Sequence, residues 1–253
     1  MKIAGCTWGV SLAQIKAAYT LQQSGFDTID VDPGFLTSKT PSTLPQISCL
    51  AAGHLFPEGT RLDDENDKDR AKALAHSKAA LQEAHTLNVE VAYIGAPNPG
   101  IESLSRFRDA ACELSDLADT LNIVFCVEPS PPRGLRSVHE TLDFFDTCNR
   151  DNLNVLLDFA HCLMIEEDPV EAISYCGNKL AYVHFNDTDG VNDDHLALTD
   201  GIMDNNLITQ ILDRLKSVQY RRPLGVESSP ALPDPIGSAI KTRNILIENG
   251  AYE

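Results

Sequence analysis

The chain has 253 residues, 43% of them hydrophobic, with 20 basic against 37 acidic side chains and a formal net charge of −17. Acid in that excess repels phosphate backbones and anionic bilayers, because nucleic-acid affinity rests on lysines and arginines neutralising phosphates. The longest apolar runs are about 6–8 residues where a membrane helix needs about 20, and the N-terminus enters a strand pattern with no signal-like hydrophobic region. A cytoplasmic protein without nucleic-acid or membrane partners is expected.

Strand-like and helix-like segments then alternate from end to end. Residues 2–8 read as a first strand, and residues 11–23 as a helix with Leu12, Ile15, Ala18, Tyr19 and Gln22 at helical spacing and Ser11 placed to cap it. Residues 28–31 form a second strand, 32–45 a Pro/Ser/Thr/Gly-rich loop, 47–52 a third strand and 67–87 a long helix. The fourth strand is 89–94, followed by a helix over 101–121. The fifth is 123–127, followed by a helix over 137–148 with Ser137 and Glu140 in capping-box spacing. The sixth strand is 155–157, with a short helix after Pro169. The seventh is 180–185, and an Asp/Asn/Gly-rich loop over 186–203 leads to a helix over 206–215. The eighth strand is 224–226, and residues 234–248 close the chain with a helix.

Eight short strands, apolar on both faces and interleaved with helices over about 250 residues, specify a (β/α)8 TIM barrel of the α/β class, in one domain spanning residues 1–253. There is no G-x-G-x-x-G after the first strand and no Walker A sequence, so nucleotide cofactors have no support. The seven cysteines are scattered without a C-x-x-C pair, as expected of reduced, mostly buried thiols.

Four consecutive strands end on a side chain able to hold a metal. They read Val-Glu128-Pro-Ser, Leu-Leu-Asp158-Phe-Ala-His161, Tyr-Val-His184-Phe-Asn-Asp187 and Gly-Val-Glu227-Ser-Ser. Alternation along each strand gives Val124, Cys126 and Glu128 one parity, as it does Asn154, Leu156 and Asp158; Leu180, Tyr182 and His184; and Gly225 and Glu227. Each candidate is the last inward position of its strand, at the rim where barrels collect functional groups. Carboxylates massed on one rim repel one another, so a cation is expected among them. The donor set suits Mn²⁺ first, with Mg²⁺, Co²⁺ or Zn²⁺ as alternatives.

The strand-end Glu128, the Asp158-x-x-His161 pair, the His184-x-x-Asp187 segment and the late Glu227 resemble the sugar phosphate isomerase/epimerase superfamily. These xylose isomerase-like TIM barrels include ketose 3-epimerases, inosose isomerases and dehydratases, and the endonuclease IV type of repair enzyme. The resemblance implies that Glu128, Asp158, His184 and Glu227 hold one divalent ion. It implies too that Glu128 and Glu227 exchange protons with opposite faces of a small sugar-derived ketone through an enediolate, and that His161 hydrogen-bonds substrate oxygen. Trp8 could stack on a sugar face, His54 and Glu58 could line the pocket, and Arg133 could meet a substrate carboxylate or phosphate. His195, in Asp193-Asp194-His195, resembles a D-x-H that supplies extra metal ligands in the endonuclease branch and contacts substrate in sugar-acting relatives. Where ketose 3-epimerases carry an arginine about six residues after the strand-seven histidine, this chain has Gly190, which keeps a dehydratase or lyase in view. The nuclease reading needs a histidine at the end of strand four, and the sequence there is Tyr93-Ile94-Gly95-Ala96-Pro97. A catalytically silent barrel is a third alternative, and barrels of this kind pair, so a homo-oligomer is compatible with the sequence.

Overall fold

The computed structural model describes residues 1–37 and 43–252. Eight parallel strands close into one barrel: β1 (Ile3–Cys6), β2 (Thr28–Val31), β3 (Ile47–Leu50), β4 (Val91–Gly95), β5 (Val124–Glu128), β6 (Leu153–Asp158), β7 (Leu180–Phe185) and β8 (Leu224–Val226), with β8 pairing back onto β1. Helices α1 (Gln14–Gln23), α2 (Asp67–Thr86), α3 (Ile101–Thr120), α4 (Val138–Cys148), α5 (Phe159–Met164), α6 (Pro169–Cys176), α7 (Asn205–Ser217) and α8 (Pro235–Glu248) are distributed between the strands. The barrel is therefore a single (β/α)8 domain. Part of the loop expected over 32–45 lies outside the described residues. No helix among the described residues is long and apolar enough to cross a membrane.

Sequence accounts for the outer layer directly. In α7, Ile208, Ile211, Leu212 and Leu215 recur at helical spacing and are the buried face. Asp204 caps its first turn by accepting from the Leu207 amide at 2.8 Å, and Arg214 and Lys216 meet the negative end of its dipole. Each such Leu or Ile, taken fully out of water, contributes about 1.5–3 kcal/mol before chain entropy is counted. The capping box at α4 forms with a shift: Ser137 accepts from the Glu140 amide at 3.2 Å, while Glu140 reaches the amide of Arg136 at 2.6 Å. Ser11 does not cap α1. Its hydroxyl donates to Pro230 O at 2.7 Å, and the helix starts at Gln14.

The barrel interior is a separate small cluster of Cys49, Ala51, Val91, Tyr93, Cys126, Leu156, Ala181 and Tyr182. Cys126, Leu156 and Tyr182 point where strand alternation puts them. Leu180 does not: it belongs to the outer layer. Register explains the difference, because Val155 pairs with Leu180 but Leu156 pairs with Tyr182, leaving Ala181 as an extra residue that resets the alternation. A second irregularity makes Ser48 the extra residue of β3 opposite β2. All seven cysteines are free thiols.

Candidate metal centre

The strand ends converge. Glu128 and Asp158 end β5 and β6, His184 is next to last in β7 and Glu227 lies just beyond β8; all four are buried, and one donor atom from each lies within 4.8 Å of the others. Local structure aims each one. Asp158 is the N-cap of α5, so its Oδ1 accepts from the amides of Ala160 (2.8 Å) and His161 (3.2 Å). Asn186, just past β7, donates to the Asp158 Oδ2 at 2.5 Å. Glu227 is held from the neighbouring strand, β1, beyond whose end the Trp8 indole N–H donates to Oε1 at 2.6 Å.

His184 provides the test of whether a cation fits. It is fully buried, and neither ring nitrogen has a hydrogen bond of acceptable geometry among the described residues. Its Nδ1 nonetheless stands 2.9 Å from Glu227 Oε2 and 3.5 Å from Glu128 Oε1. Close approaches off the hydrogen-bond direction are how lone pairs aimed at one point arrange themselves, and buried polar atoms are otherwise paired. Burial pushes Asp158 above the usual carboxylate range. It opposes a charge on His184, yet the Glu227 carboxylate raises that imidazole well above its ordinary value. Burial likewise opposes ionisation of Glu227, but His195 and His184 hold it well below the usual range. The carboxylates thus draw positive charge from protons, and a divalent ion supplies the same neutralisation.

Above this centre lies a cavity of about 290 Å³ lined by residues including Glu128, Glu227, His161, His195, His54, Arg61, Asn98 and Arg133. His161 Nδ1 donates to Pro129 O at 2.9 Å, and its Nε2 is 3.3 Å from Asp193 Oδ1. The same Asp193 oxygen is 3.1 Å from His195 Nε2, while His195 Nδ1 is 3.8 Å from Glu227 Oε2. Burial opposes charging these rings, but Asp158 and Asp193 raise His161 to about 10, and Glu227 with Asp193 raises His195 to about 9. His54 bridges Asp32 Oδ1 (2.9 Å) and the Tyr93 hydroxyl (3.3 Å). Trp8, expected as a stacking platform, spends its N–H on Glu227. Glu58 is exposed. Asp187 is buried and accepts from the amides of Thr188, Gly201 and Met203, so it organises the loop after β7.

Beneath the centre is a polar group that sequence reasoning does not anticipate. Asp30 of β2 is fully buried and accepts from Ser48 Oγ (2.6 Å) and the Tyr182 hydroxyl (2.9 Å). Burial pushes its carboxyl up to about 6. A donor atom of Asp30 and the Cys6 sulfur lie within 4.8 Å of a His184 nitrogen. The available signal was an acid at an inward position inside Thr-Ile-Asp30-Val. Arg61, Asp63 and Asn98 are likewise not legible in the sequence, because they sit on loops without periodic pattern.

A closed parallel barrel with three carboxylates and an imidazole gathered at the C-terminal rim defines a class of candidate metal-dependent TIM-barrel proteins. Residues 21–244 match the family model described as xylose isomerase-like TIM barrel, and the chain belongs to that family. Its fold is similar to that of a D-tagatose 3-epimerase-like protein (18% identity, TM-score 0.81, 98% of this chain and 97% of that one). It is also similar to a D-allulose 3-epimerase from Methylomonas sp. (19%, TM-score 0.77, 98% of each chain). A third such structure is a 3-keto-D-glucoside 4-epimerase from E. coli (14%, TM-score 0.81, 98% and 99%). In sequence, an uncharacterised protein of Methanocaldococcus jannaschii is 23% identical over 198 residues, 72% of this chain and 64% of that protein. One from Sinorhizobium fredii is 31% identical over 84 residues, 33% of this chain and 26% of that protein. The chain thus spans less than two thirds of the length of either relative.

Proposed function

We propose that this protein is a divalent-metal-dependent isomerase or epimerase acting on a small ketose, inosose or hydroxy-ketone. The observation that carries the reading is the convergence of Glu128, Asp158, His184 and Glu227 on one point at the floor of a cavity. Its volume of about 290 Å³ sits at the low end of small-molecule sites, which run from about 300 Å³ upward, so it suits a metabolite and not a polymer. The epimerase activities in the names of the similar structures support the same class.

A bound divalent ion, with Mn²⁺ the leading candidate, would polarise adjacent carbonyl and hydroxyl oxygens of the substrate. The chain's own residues do the rest. Glu128 or Glu227 takes the proton from the carbon beside the carbonyl, and the C–H electron pair moves into the enediolate while the carbonyl oxygen gains negative charge. Return of a proton from the other glutamate to the opposite face of that carbon gives an epimer; return to the neighbouring carbon gives an isomer. His161, whose Nδ1 is fixed on Pro129 O and whose Nε2 stands 3.3 Å from Asp193 Oδ1, lines the cavity and steadies the oxygen where charge develops. Trp8 keeps Glu227 oriented.

The test is exchange of the α-proton with deuterated solvent across ketoses, hydroxy-ketones and inososes, with Mn²⁺ present. Exchange is expected with at least one class and is lost on chelation and in Glu128→Gln and Glu227→Gln. Absence of exchange from the whole panel with metal-saturated protein sinks the reading. A dehydratase shares the proton abstraction but loses water from the β-carbon, so product analysis separates it; Gly190 is the residue that favours it. A nuclease of the endonuclease IV kind is disfavoured by the acidic chain and by the Gly95 end of β4.

A further inference from the structure

We infer that the substrate is anionic, a hydroxy-ketone whose distal carboxylate or phosphate is received by Arg61 and Arg133 at the mouth of the cavity. The inference rests on the isomerase reading above and names the substrate class for that site. Glu128 and Glu227 are each only 9% exposed, whereas both arginines are exposed, so the cavity runs from a buried acidic floor to a cationic mouth. Arg70 and Arg150 on the surface sit on acids, Asp67 and Asp116 respectively. Arg133 has no carboxylate within ion-pair distance among the described residues; its Nη1 donates at 3.2 Å to the neutral Oδ1 of Asn98. Arg61 touches Asp63 through Nε, at 3.3 Å, with no ion pair to either Nη among the described residues, and a guanidinium fork suits two oxygens of one anion.

The pair is preorganised. Asp63 is buried and accepts from the Asn98 amide (2.9 Å) and the Ser103 hydroxyl (2.7 Å), so one carboxylate orients Arg61 and the loop that carries Asn98. Asn98 in turn orients Arg133. The backbone around Arg133 is pinned as well: its amide donates to Ser130 O and that of Gly134 to Pro97 O, both at 2.7 Å. A Cβ at residue 134 would stand 2.5 Å from Asn98 O, so glycine is what lets the two loops close on each other. Fixing the guanidinium groups before binding removes an ordering cost that flexible side chains would incur. Acids (Asp63, Glu128, Asp193, Glu227) line the cavity beside His54, His161 and His195, and the arginines add positive charge at the mouth, where an anion would enter.

The experiment uses the full chain loaded with Mn²⁺ and three matched probes: fructose, fructose 6-phosphate and fructuronate. Binding is followed by calorimetry at low salt, and α-proton exchange is followed in deuterated water. At least one anionic probe is expected to bind tenfold or more tighter than fructose, and the tighter of the two shows whether the group is phosphate or carboxylate. Arg133→Ala and the double change with Arg61→Ala are expected to remove that advantage, with partial recovery in Arg133→Lys. Arg150→Ala, which changes net charge equally at a remote ion pair, is expected to keep it. Anions binding no tighter than fructose, or an advantage that survives the double change, overturns the inference. Proton exchange separates the two proposals: anion preference without exchange from any probe sinks the isomerase reading alone, and exchange from fructose without anion preference sinks the anionic substrate alone.

Discussion

Gly225→Ala probes the centre by adding one methyl group without replacing any of the four candidate ligands. A Cβ at residue 225 would stand 2.6 Å from His184 Cδ2 and 3.1 Å from both Asp30 Oδ2 and Val183 O. Carbon pairs rest about 3.5–4.0 Å apart, so the imidazole must move by about 1 Å, since the backbone oxygen behind the methyl cannot yield in a closed barrel. Metal–ligand distances tolerate about ±0.2 Å, and perturbing only the groups that support a ligand typically costs 10–100-fold in metal affinity. A loss of at least that size in Mn²⁺ affinity is expected by calorimetric titration. Stability of the metal-free protein should fall less, because overpacking costs about 1–3 kcal/mol while replacing a strand glycine returns about 0.5–1 kcal/mol. A folded Gly225→Ala protein with unchanged Mn²⁺ affinity would refute His184 as a ligand, and the four-residue centre with it.

Three further outcomes are expected. Trp8→Phe removes the 2.6 Å donor to Glu227 and keeps the ring; a hydrogen bond to a charged group contributes about 1.5–3 kcal/mol, so α-proton exchange should slow by about 10–100-fold while thermal stability changes little. Metal analysis of protein saturated with Mn²⁺ or Zn²⁺ should give one tightly held ion per chain, and three would revive the nuclease reading. Although burial works against ionisation of Asp63, bonds from Ser103 and the Asn98 amide, with Arg61 beside it, hold its carboxyl below the usual range. A depressed folded-state value contributes stability that is complete above the unfolded value of about 3.9 and is lost as pH falls through the folded one. The stability gap between wild type and Asp63→Asn, measured by urea unfolding, should therefore narrow from pH 6 to pH 3; a constant gap would show that Asp63 carries no such linkage.

The barrel was legible because its signals are local and periodic. Short apolar runs at near-regular intervals mark buried parallel strands, and side-chain alternation then puts Glu128, Asp158, His184 and Glu227 at one rim, where the structure brings their donor atoms together. Boundaries moved where the controlling feature was not local. Residues 7–9 form a turn of 3₁₀ helix in place of the end of β1, and α5, a six-residue helix nucleated by the Asp158 cap, was too short to leave a periodic signal. Leu180 takes the outer face against strand alternation because an extra residue in β7 opposite β6 is a property of the strand pair and leaves no mark in either sequence. Trp8 and Glu227 are 219 residues apart, so their contact exists only once β8 closes on β1. Asp63, Asn98 and Arg61 belong to loops whose conformation is set by mutual hydrogen bonds, for which spacing carries no code.

One of those non-local features bears on the imidazole itself. The irregularity in β3 turns Ser48 toward Asp30, and with the Tyr182 hydroxyl it gives a fully buried carboxylate two donors where an unpaired one would be prohibitive. Asp30 and Cys6 lie toward one side of the His184 ring, whose Cδ2 edge faces Gly225, while Nδ1 faces Glu128 and Glu227. For Nδ1 to offer a lone pair to a cation, the imidazole must be neutral with its proton on Nε2. Asp30 and Cys6 below and the strand-end carboxylates above thus approach one and the same ring, which links the buried polar group to the proposed metal centre.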